Sequence, residues 1–301
     1  MHVTAMVADA LAAGRPVVAL ESSVLAQGLP VPANREACER MMQAIMRQGA
    51  VPAITAVVRG RPVVGLEGED LERFLRRDGI IKVAARDLSA AAALGFDGAT
   101  TVSASLALAA LAGISVFATG GIGGVHRNAP FDESADLTEL SRVRVICVCA
   151  GAKAILDLRA TAERLETLSI PVVGFGTDWF PEFYAPGSTI RASCRVESPD
   201  QVARLFERHV GLGMPGALLV GNPPPEGTRL SPDLIGAAVR AALEEVEAAG
   251  VEGKNVTPAL LASVERATGG KSVATNIALL ESNSELAARI SVALVAGEKN
   301  R

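Results

Sequence analysis

Short, predominantly apolar runs recur along the chain: Val17–Leu20, Ile54–Val58, Ser115–Ala118, Val143–Val148, Pro171–Val173 and Gly216–Val220. A strand turns alternate side chains to opposite faces, so a continuous apolar run predicts a strand covered on both. Between these runs, Arg35–Gln48, Ala104–Ala112, Ala160–Leu168 and Pro199–His209 read as helices. The alternation predicts an α/β fold, a three-layer α/β/α sandwich around a central mixed or mostly parallel sheet. One helix is punctuated plainly: Ser231 offers an N-cap, Pro232 suits the first helical position, and Gly250 stops the run. Within it Leu234, Ala238, Ala242 and Val246 recur on one face. From Thr257 onward two further helices are expected, the second over about Ser272 to Val295. No repeat, low-complexity segment or composition break marks a linker, so residues 1–301 read as one domain.

Composition narrows the functional classes. With 301 residues, 49% of them hydrophobic, the chain can bury a large core. Its formal net charge of -4 and its scattered Lys and Arg lack the footprint of a nucleic-acid-binding surface, so any nucleotide it handles is a free one. An aromatic content of 3% argues against stacking as the main mode of ligand binding. Cys38, Cys147, Cys149 and Cys194 form neither a CxxC pair nor a zinc spacing and read as reduced thiols. The first residues lack the pattern of a signal peptide, and no window approaches the roughly 20 apolar residues of a membrane helix. The expectation is a cytoplasmic protein with a small-molecule substrate and no membrane partner.

Glycine clusters follow two of the expected strands. Thr119-Gly120-Gly121-Ile122-Gly123-Gly124-Val125-His126-Arg127 comes after Ala118, and Ala150-Gly151-Ala152-Lys153 after Cys149. In open α/β sheets ligands bind at the carboxyl ends of strands, so the two loops suggest one shared site, with amides free to cradle an anion. A Gly-rich loop by itself is equally well a flexible turn. The acids of Phe131-Asp132-Glu133-Ser134-Ala135-Asp136-Leu137 offer hard oxygen ligands to Mg2+ or Mn2+, or else an N-cap for a helix over Ala135–Leu140. Lys153, among small and apolar residues, either snorkels to solvent or is a partly buried nucleophile. Lys82, in Ile81-Lys82-Val83-Ala84, is similarly embedded. Glu21 stands at the end of a strand, where a site is expected.

These segments resemble one known family, the pseudouridine-5'-phosphate glycosidases, also called the indigoidine synthase A-like family. The likeness runs nearly end to end: Ala19-Leu20-Glu21-Ser22, Gly49–Ala53, Lys82 with Arg86-Asp87-Leu88, Gly98–Val102, Phe117–Arg127, Ser134–Leu137, Ala150–Asp157 and Asn276. The resemblance implies reversible cleavage of the carbon–carbon glycosidic bond of pseudouridine 5'-phosphate to uracil and ribose 5-phosphate, in pseudouridine catabolism. It implies Glu21 as proton donor and Lys153 as the nucleophile that forms an imine. It further implies substrate contacts at Lys82, Val102, Thr119, His126, Ser134, Ala135, Asp136 and Asn276, with Mn2+ or another divalent cation at Asp132 and a homotrimeric assembly. Between His126 and Asp132 the chain is shorter than the family pattern. An alternative within enzymes is another imine-forming lyase acting on a phosphosugar.

Overall fold

A computed structural model describes residues 1–127, 131–251, 253 and 256–299. The elements run β1 (His2–Val3), α1 (Ala5–Ala12), β2 (Val17–Leu20), a π-helical turn (Val24–Gly28), α2 (Ala33–Arg47), β3 (Val51–Val58), β4 (Arg61–Val64), α3 (Gly68–Arg76), β5 (Ile81–Val83), α4 (Leu88–Ala93), β6 (Gly98–Thr100) and α5 (Val102–Leu111). They continue with β7 (Val116–Ala118), α6 (Ala135–Leu140), β8 (Ile146–Cys149), α7 (Leu158–Thr167), β9 (Val172–Phe175), β10 (Cys194–Val196), α8 (Pro199–Gly211), β11 (Leu218–Gly221), α9 (Pro232–Ala248), α10 (Val256–Ala267) and α11 (Lys271–Lys299).

The strands form one mixed sheet in the order β1-β4-β3-β2-β7-β8-β11-β9-β10, with β6 pairing β3 and β5 pairing β6. Pairing is parallel except where β3 meets β4 and β6. Right-handed crossovers put the helices of forward and backward steps on opposite faces. Among the crossovers between parallel strands, those through α6 and α7 advance along the sheet, whereas those through α2 and α8 step back. Accordingly α11 packs on α2 and α8 and against β2, β7 and β8, while α5 packs on α6 and against β2, β3 and β7. This is the expected three-layer sandwich. The strands β2, β7, β8 and β11 are buried at every position, as their unbroken apolar runs require.

Some boundaries differ from the sequence expectation. The strand expected from Val143 begins at Ile146, because the Val145 N–H donates to the Val143 carbonyl in a turn that leaves α6. The helix expected from Ala104 begins at Val102, with Thr101 alone between it and β6. Caps at Ser134, Ser198 and Ser231 each accept a backbone N–H of the following first turn. No helix among the described residues is long and apolar enough to cross a membrane. All four cysteines are free, and burial pushes the Cys38 thiol up to about 12, which keeps it protonated and unreactive.

Strand order reverses at β2: the chain steps from β2 back to β3, while β7 takes the other side. A crevice opens at the carboxyl ends of the strands at such a switch point. The three central strands β2, β7 and β8 end there side by side, at Leu20, Ala118 and Cys149.

Candidate active site

A cavity of about 680 Å3 lies over those strand ends. Glu21 leaves β2, Gly120, Gly121 and Gly123 follow β7, and Lys153 follows β8, so three neighbouring strands each deliver one part of the wall. Lys82 comes from β5, Val102 from the first position of α5, and Asn276 from α11. His126, Asp132, Ser134, Ala135 and Asp136 come from the loop after β7 and the start of α6. Residues separated by more than half the chain thus face one space.

Glu21 is 3% exposed, and both its oxygens are engaged: Ser23 Oγ donates to one and Thr119 Oγ1 to the other. Thr119, expected as a substrate contact, is itself buried and lies off the cavity wall, with its hydroxyl committed to Glu21. Beneath Glu21, the hydroxyl of Ser22 accepts the Thr100 N–H at 2.9 Å, and Thr55 Oγ1 lies 2.8 Å from both Thr100 Oγ1 and Ser105 Oγ. This buried hydroxyl cluster ties the end of β2 to β3, β6 and α5, and so fixes where the carboxyl group stands.

The two glycine loops are stitched together. The Ile122 N–H donates to the Gly151 carbonyl at 3.0 Å and the Lys153 N–H to the Ile122 carbonyl at 3.1 Å. Gly151 needs its lack of a side chain twice over: its φ is +87°, and a Cβ there would run into the Pro181 carbonyl. Gly123 is different, with no positive φ; a Cβ on it would lie 2.6 Å from Ser134 Cβ and 2.9 Å from Asp136 Oδ2. Its role is close approach. The amides of Ile122, Gly123 and Val125 are all used within the protein, to Gly151, Asp136 and Thr161 respectively. The expectation that these amides cradle an anion is therefore corrected for those three.

The acid cluster divides by role. Asp136, 5% exposed, accepts the Gly123 N–H at 2.8 Å on one oxygen and the Ser103 N–H at 2.9 Å on the other, clamping the glycine loop to the first turn of α5. Glu133 is paired with Arg164 at 2.8 Å. With both of those carboxylates occupied, Asp132 is the acid of this segment left for a cation. No group of three or more metal-ligating side chains occurs among the described residues. One carboxylate with water and substrate oxygens suits Mg2+ or Mn2+, which keep much of their hydration shell. Asp132 thus fits a loosely held divalent cation better than a closed protein cage. The shortened segment before it falls partly on residues 128–130, which lie outside the described residues.

Charge is shared unevenly over the cavity. Burial, and then the positive charge of Lys153, hold Lys82 below the ordinary lysine value, with Asp136 and Glu21 opposing. Burial also holds His126 below the ordinary histidine value; Asp132 opposes this, and Lys82 and Lys153 reinforce it. Lys82 and His126 thus each feel the positive charge of Lys153, which lines the same cavity. Ser23, Ser103 and Gln27 escaped the sequence reading. Ser23 alone carried a signal, its position two residues beyond a strand-end acid, while Ser103 and Gln27 are recognisable only once the loops are folded together.

Residues 6–293 match the family described as indigoidine synthase A like protein. The chain is 58% identical over 294 residues to the pseudouridine-5'-phosphate glycosidase of Gemmatimonas aurantiaca, covering 98% of this chain and 96% of that one. It is 48% identical over 287 residues to the enzyme of the same name from Herpetosiphon aurantiacus, covering 95% of each. Among solved structures, the prealnumycin C-glycosynthase AlnA in complex with ribulose 5-phosphate superposes with a TM-score of 0.91 at 37% identity, covering 100% of this chain and 98% of that one. An indigoidine synthase A-like protein from Thermotoga maritima gives a TM-score of 0.88 at 39% identity, covering 94% of each chain. By sequence along nearly its whole length and by fold, the chain belongs to the indigoidine synthase A-like family.

Proposed function

We propose that this protein is an enzyme that reversibly cleaves the C-glycosidic bond of pseudouridine 5'-phosphate to uracil and ribose 5-phosphate, in pseudouridine catabolism, through an imine on Lys153. The observation that carries the reading is the meeting of Glu21, Lys82 and Lys153 on one cavity at the switch point of the sheet. Relatives that match nearly end to end bear the name of this activity. Hydrolysis by two carboxylates works by protonating a leaving oxygen, which a carbon-linked base does not offer. An amine supplies the missing electron sink.

Glu21 gives its proton to the ribose ring oxygen as the bond from that oxygen to C1' breaks. The neutral amine of Lys153 then adds to C1'. Once the added nitrogen has given up a proton and C5 of uracil has taken one up, the bond between C5 and C1' breaks, its electron pair restoring the C5=C6 double bond of uracil while the nitrogen lone pair forms the C=N bond. Uracil leaves, and water hydrolyses the imine to ribose 5-phosphate and free Lys153. Ser23 and Thr119 hold the carboxyl group of Glu21 at the ring oxygen throughout. The Val102 N–H at the start of α5, beside Lys82, suits the phosphate. His126, Ser134, Ala135 and Asn276 complete the enclosure of the sugar and base. A divalent cation such as Mn2+ at Asp132 supplies charge stabilisation for polar groups of the substrate. Assembly as a homotrimer is proposed on the family resemblance alone; light scattering at micromolar concentration checks it, and a monomer contradicts it.

The deciding experiment follows uracil release from pseudouridine 5'-phosphate, joined to borohydride trapping with ribose 5-phosphate and peptide mapping. Release by the wild type and an adduct on Lys153 are expected. Lys153→Ala should lose both, whereas Lys82→Ala should slow release yet still trap. A wild-type adduct on Lys82, or normal release by Lys153→Ala, overturns the assignment of the nucleophile. A second reading, formation of a carbon–carbon bond between a phosphosugar and another acceptor, is favoured by the likeness to AlnA. Turnover with an acceptor other than uracil separates the two.

A further inference from the structure

The parallel ladder between β7 and β8 slips at its last rung. In such a ladder a residue that donates its N–H to one partner accepts, on its carbonyl, from the residue two further along that strand. Thr119 donates its N–H to the Val148 carbonyl at 3.0 Å, so the regular continuation is a bond from the Ala150 N–H to the Thr119 carbonyl. The Ala150 N–H goes instead to the carbonyl of Gly120, at 2.9 Å. Gly120, which lines the cavity, has taken the next place in the ladder. The Thr119 carbonyl is left without a ladder partner in a residue 1% exposed, where it needs another donor. Irregularities of this kind occur often beside active sites.

Asn283 of α11 is that donor. Its Nδ2 lies 2.8 Å from the Thr119 carbonyl and 3.4 Å from that of Gly120. Both are carbonyls and can only accept, so the sense of the amide is fixed and its Oδ1 faces the other way. There it accepts from Asn222 Nδ2 at 3.0 Å, and the same Nδ2 lies 3.1 Å from Ser282 Oγ. Asn222 follows the last residue of β11, and its own N–H donates to the Cys149 carbonyl at the end of β8. Two amides thus tie the ends of β7, β8 and β11 to α11. On the other side of β7, the register that pairs Ala19 with Phe117 and Leu20 with Ala118 continues to Glu21 beside Thr119, whose hydroxyl donates to the Glu21 carboxyl group. Neither Asn283 nor Asn222 lines the cavity, so whatever they do for the reaction they do through other residues.

We infer that Asn283 is a positioning residue for the acid Glu21, acting through the Thr119 peptide, with Asn222 locking its amide. The inference deepens the reading of Glu21 given above and rests on it. Without Asn283 the Thr119 carbonyl can regain a partner only if the peptide between Thr119 and Gly120 turns. That turn moves the hydroxyl that holds Glu21 and leaves the acid out of line with the ring oxygen. A misplacement of about 1 Å costs about 100-fold in rate. Lys82 and Val102, on β5 and α5, are outside this network, so substrate binding is spared and the loss falls on kcat.

The test measures kcat and KM for uracil release from pseudouridine 5'-phosphate, with circular dichroism and thermal unfolding as checks on the fold. Asn283→Leu keeps a similar side-chain volume and removes both amide bonds. It should lower kcat about 10- to 100-fold and move KM by less than about twofold. Thr119→Val should show the same split, whereas Thr119→Ser, which keeps the hydroxyl, should stay within about fivefold of the wild type in kcat. Because both residues act on one carboxyl group, adding Asn283→Leu to Thr119→Val should cost less than about a further threefold. If Asn283→Leu does not fold, Asn222→Ala, which leaves the bond to Thr119 and frees the amide that makes it, takes its place in the cycle under the same criteria. An unchanged kcat, a rise in KM with kcat kept, or losses that multiply in the double variant overturn the inference and make Asn283 a residue of the fold alone. Absence of uracil release by the wild type overturns the parent reading and this one together; release with any of those three results overturns this one alone.

Discussion

Asp136→Asn tests whether this carboxylate is a clamp or a ligand. Each oxygen of Asp136 accepts one backbone N–H, from Gly123 at 2.8 Å and from Ser103 at 2.9 Å, in a side chain 5% exposed. An asparagine can accept only one of them and must present its own NH2 to the other. One charge-assisted bond, worth about 1.5–3 kcal/mol, is lost, and one buried N–H is left unpaired at a cost of about 1–3 kcal/mol. The sum is about 2.5–6 kcal/mol. At roughly 2.1 cal/mol/K per residue, a chain of 301 residues unfolds with an entropy of about 0.6 kcal/mol/K, so Tm should fall by about 4–10 °C. Release of the glycine loop should also move the Lys153 backbone, which hangs on Ile122, and a shift of about 1 Å costs about 100-fold in rate. Thermal unfolding and uracil release are measured on the same preparation across a Mn2+ titration. An unchanged Tm with a defect cured by excess Mn2+ would refute the clamp and make Asp136 a metal ligand.

Three further outcomes follow from the same geometry. Exhaustive chelation should abolish turnover and Mn2+ restore it, with Asp132→Asn blunting the response to metal; full activity after chelation counts against a metal at Asp132. The His126 imidazole should titrate below the usual histidine value in NMR, because burial and the two lysines disfavour its charged form, and Asp132→Asn should lower it further by removing the opposing carboxylate. Between its folded and unfolded values only the unfolded chain binds the proton, so this group's share of stability should rise with pH through that window and be lost on acidification; a titration above the free value refutes this. Gly151→Ala combines a left-handed φ, costing about 1–2 kcal/mol, with a collision at the Pro181 carbonyl, and should lower Tm and abolish trapping at Lys153; an adduct at wild-type yield would show that the loop tolerates a side chain.

The sequence by itself determined the layers. Runs such as Val17–Leu20 are apolar without interruption because both faces of a central strand are covered, so they signal themselves. The helix at Pro232–Ala248 is equally legible, since Ser231, Pro232 and Gly250 act through local backbone chemistry. The short strands β1, β4, β5, β6 and β10 have no such signature: two to four residues at the margins of a sheet depend on the neighbours that pair with them. The candidate residues were also legible, but chiefly through resemblance, and their duties were not. Asp132 and Asp136 look alike in the chain; only folding brings the Gly123 and Ser103 amides to Asp136 and leaves Asp132 open. Thr119 reads as part of a ligand loop, yet the fold turns its hydroxyl to Glu21. Lys82 and Lys153 are 71 positions apart, and Lys82 feels the charge of Lys153 only because β5 and the loop after β8 close on one cavity. Local propensity and burial pattern act over a few residues and can be read along the chain. Which carboxylate is paired, which lysine feels another charge and which buried carbonyl a distant amide reaches depend on distances through space, and those the tertiary structure alone decides.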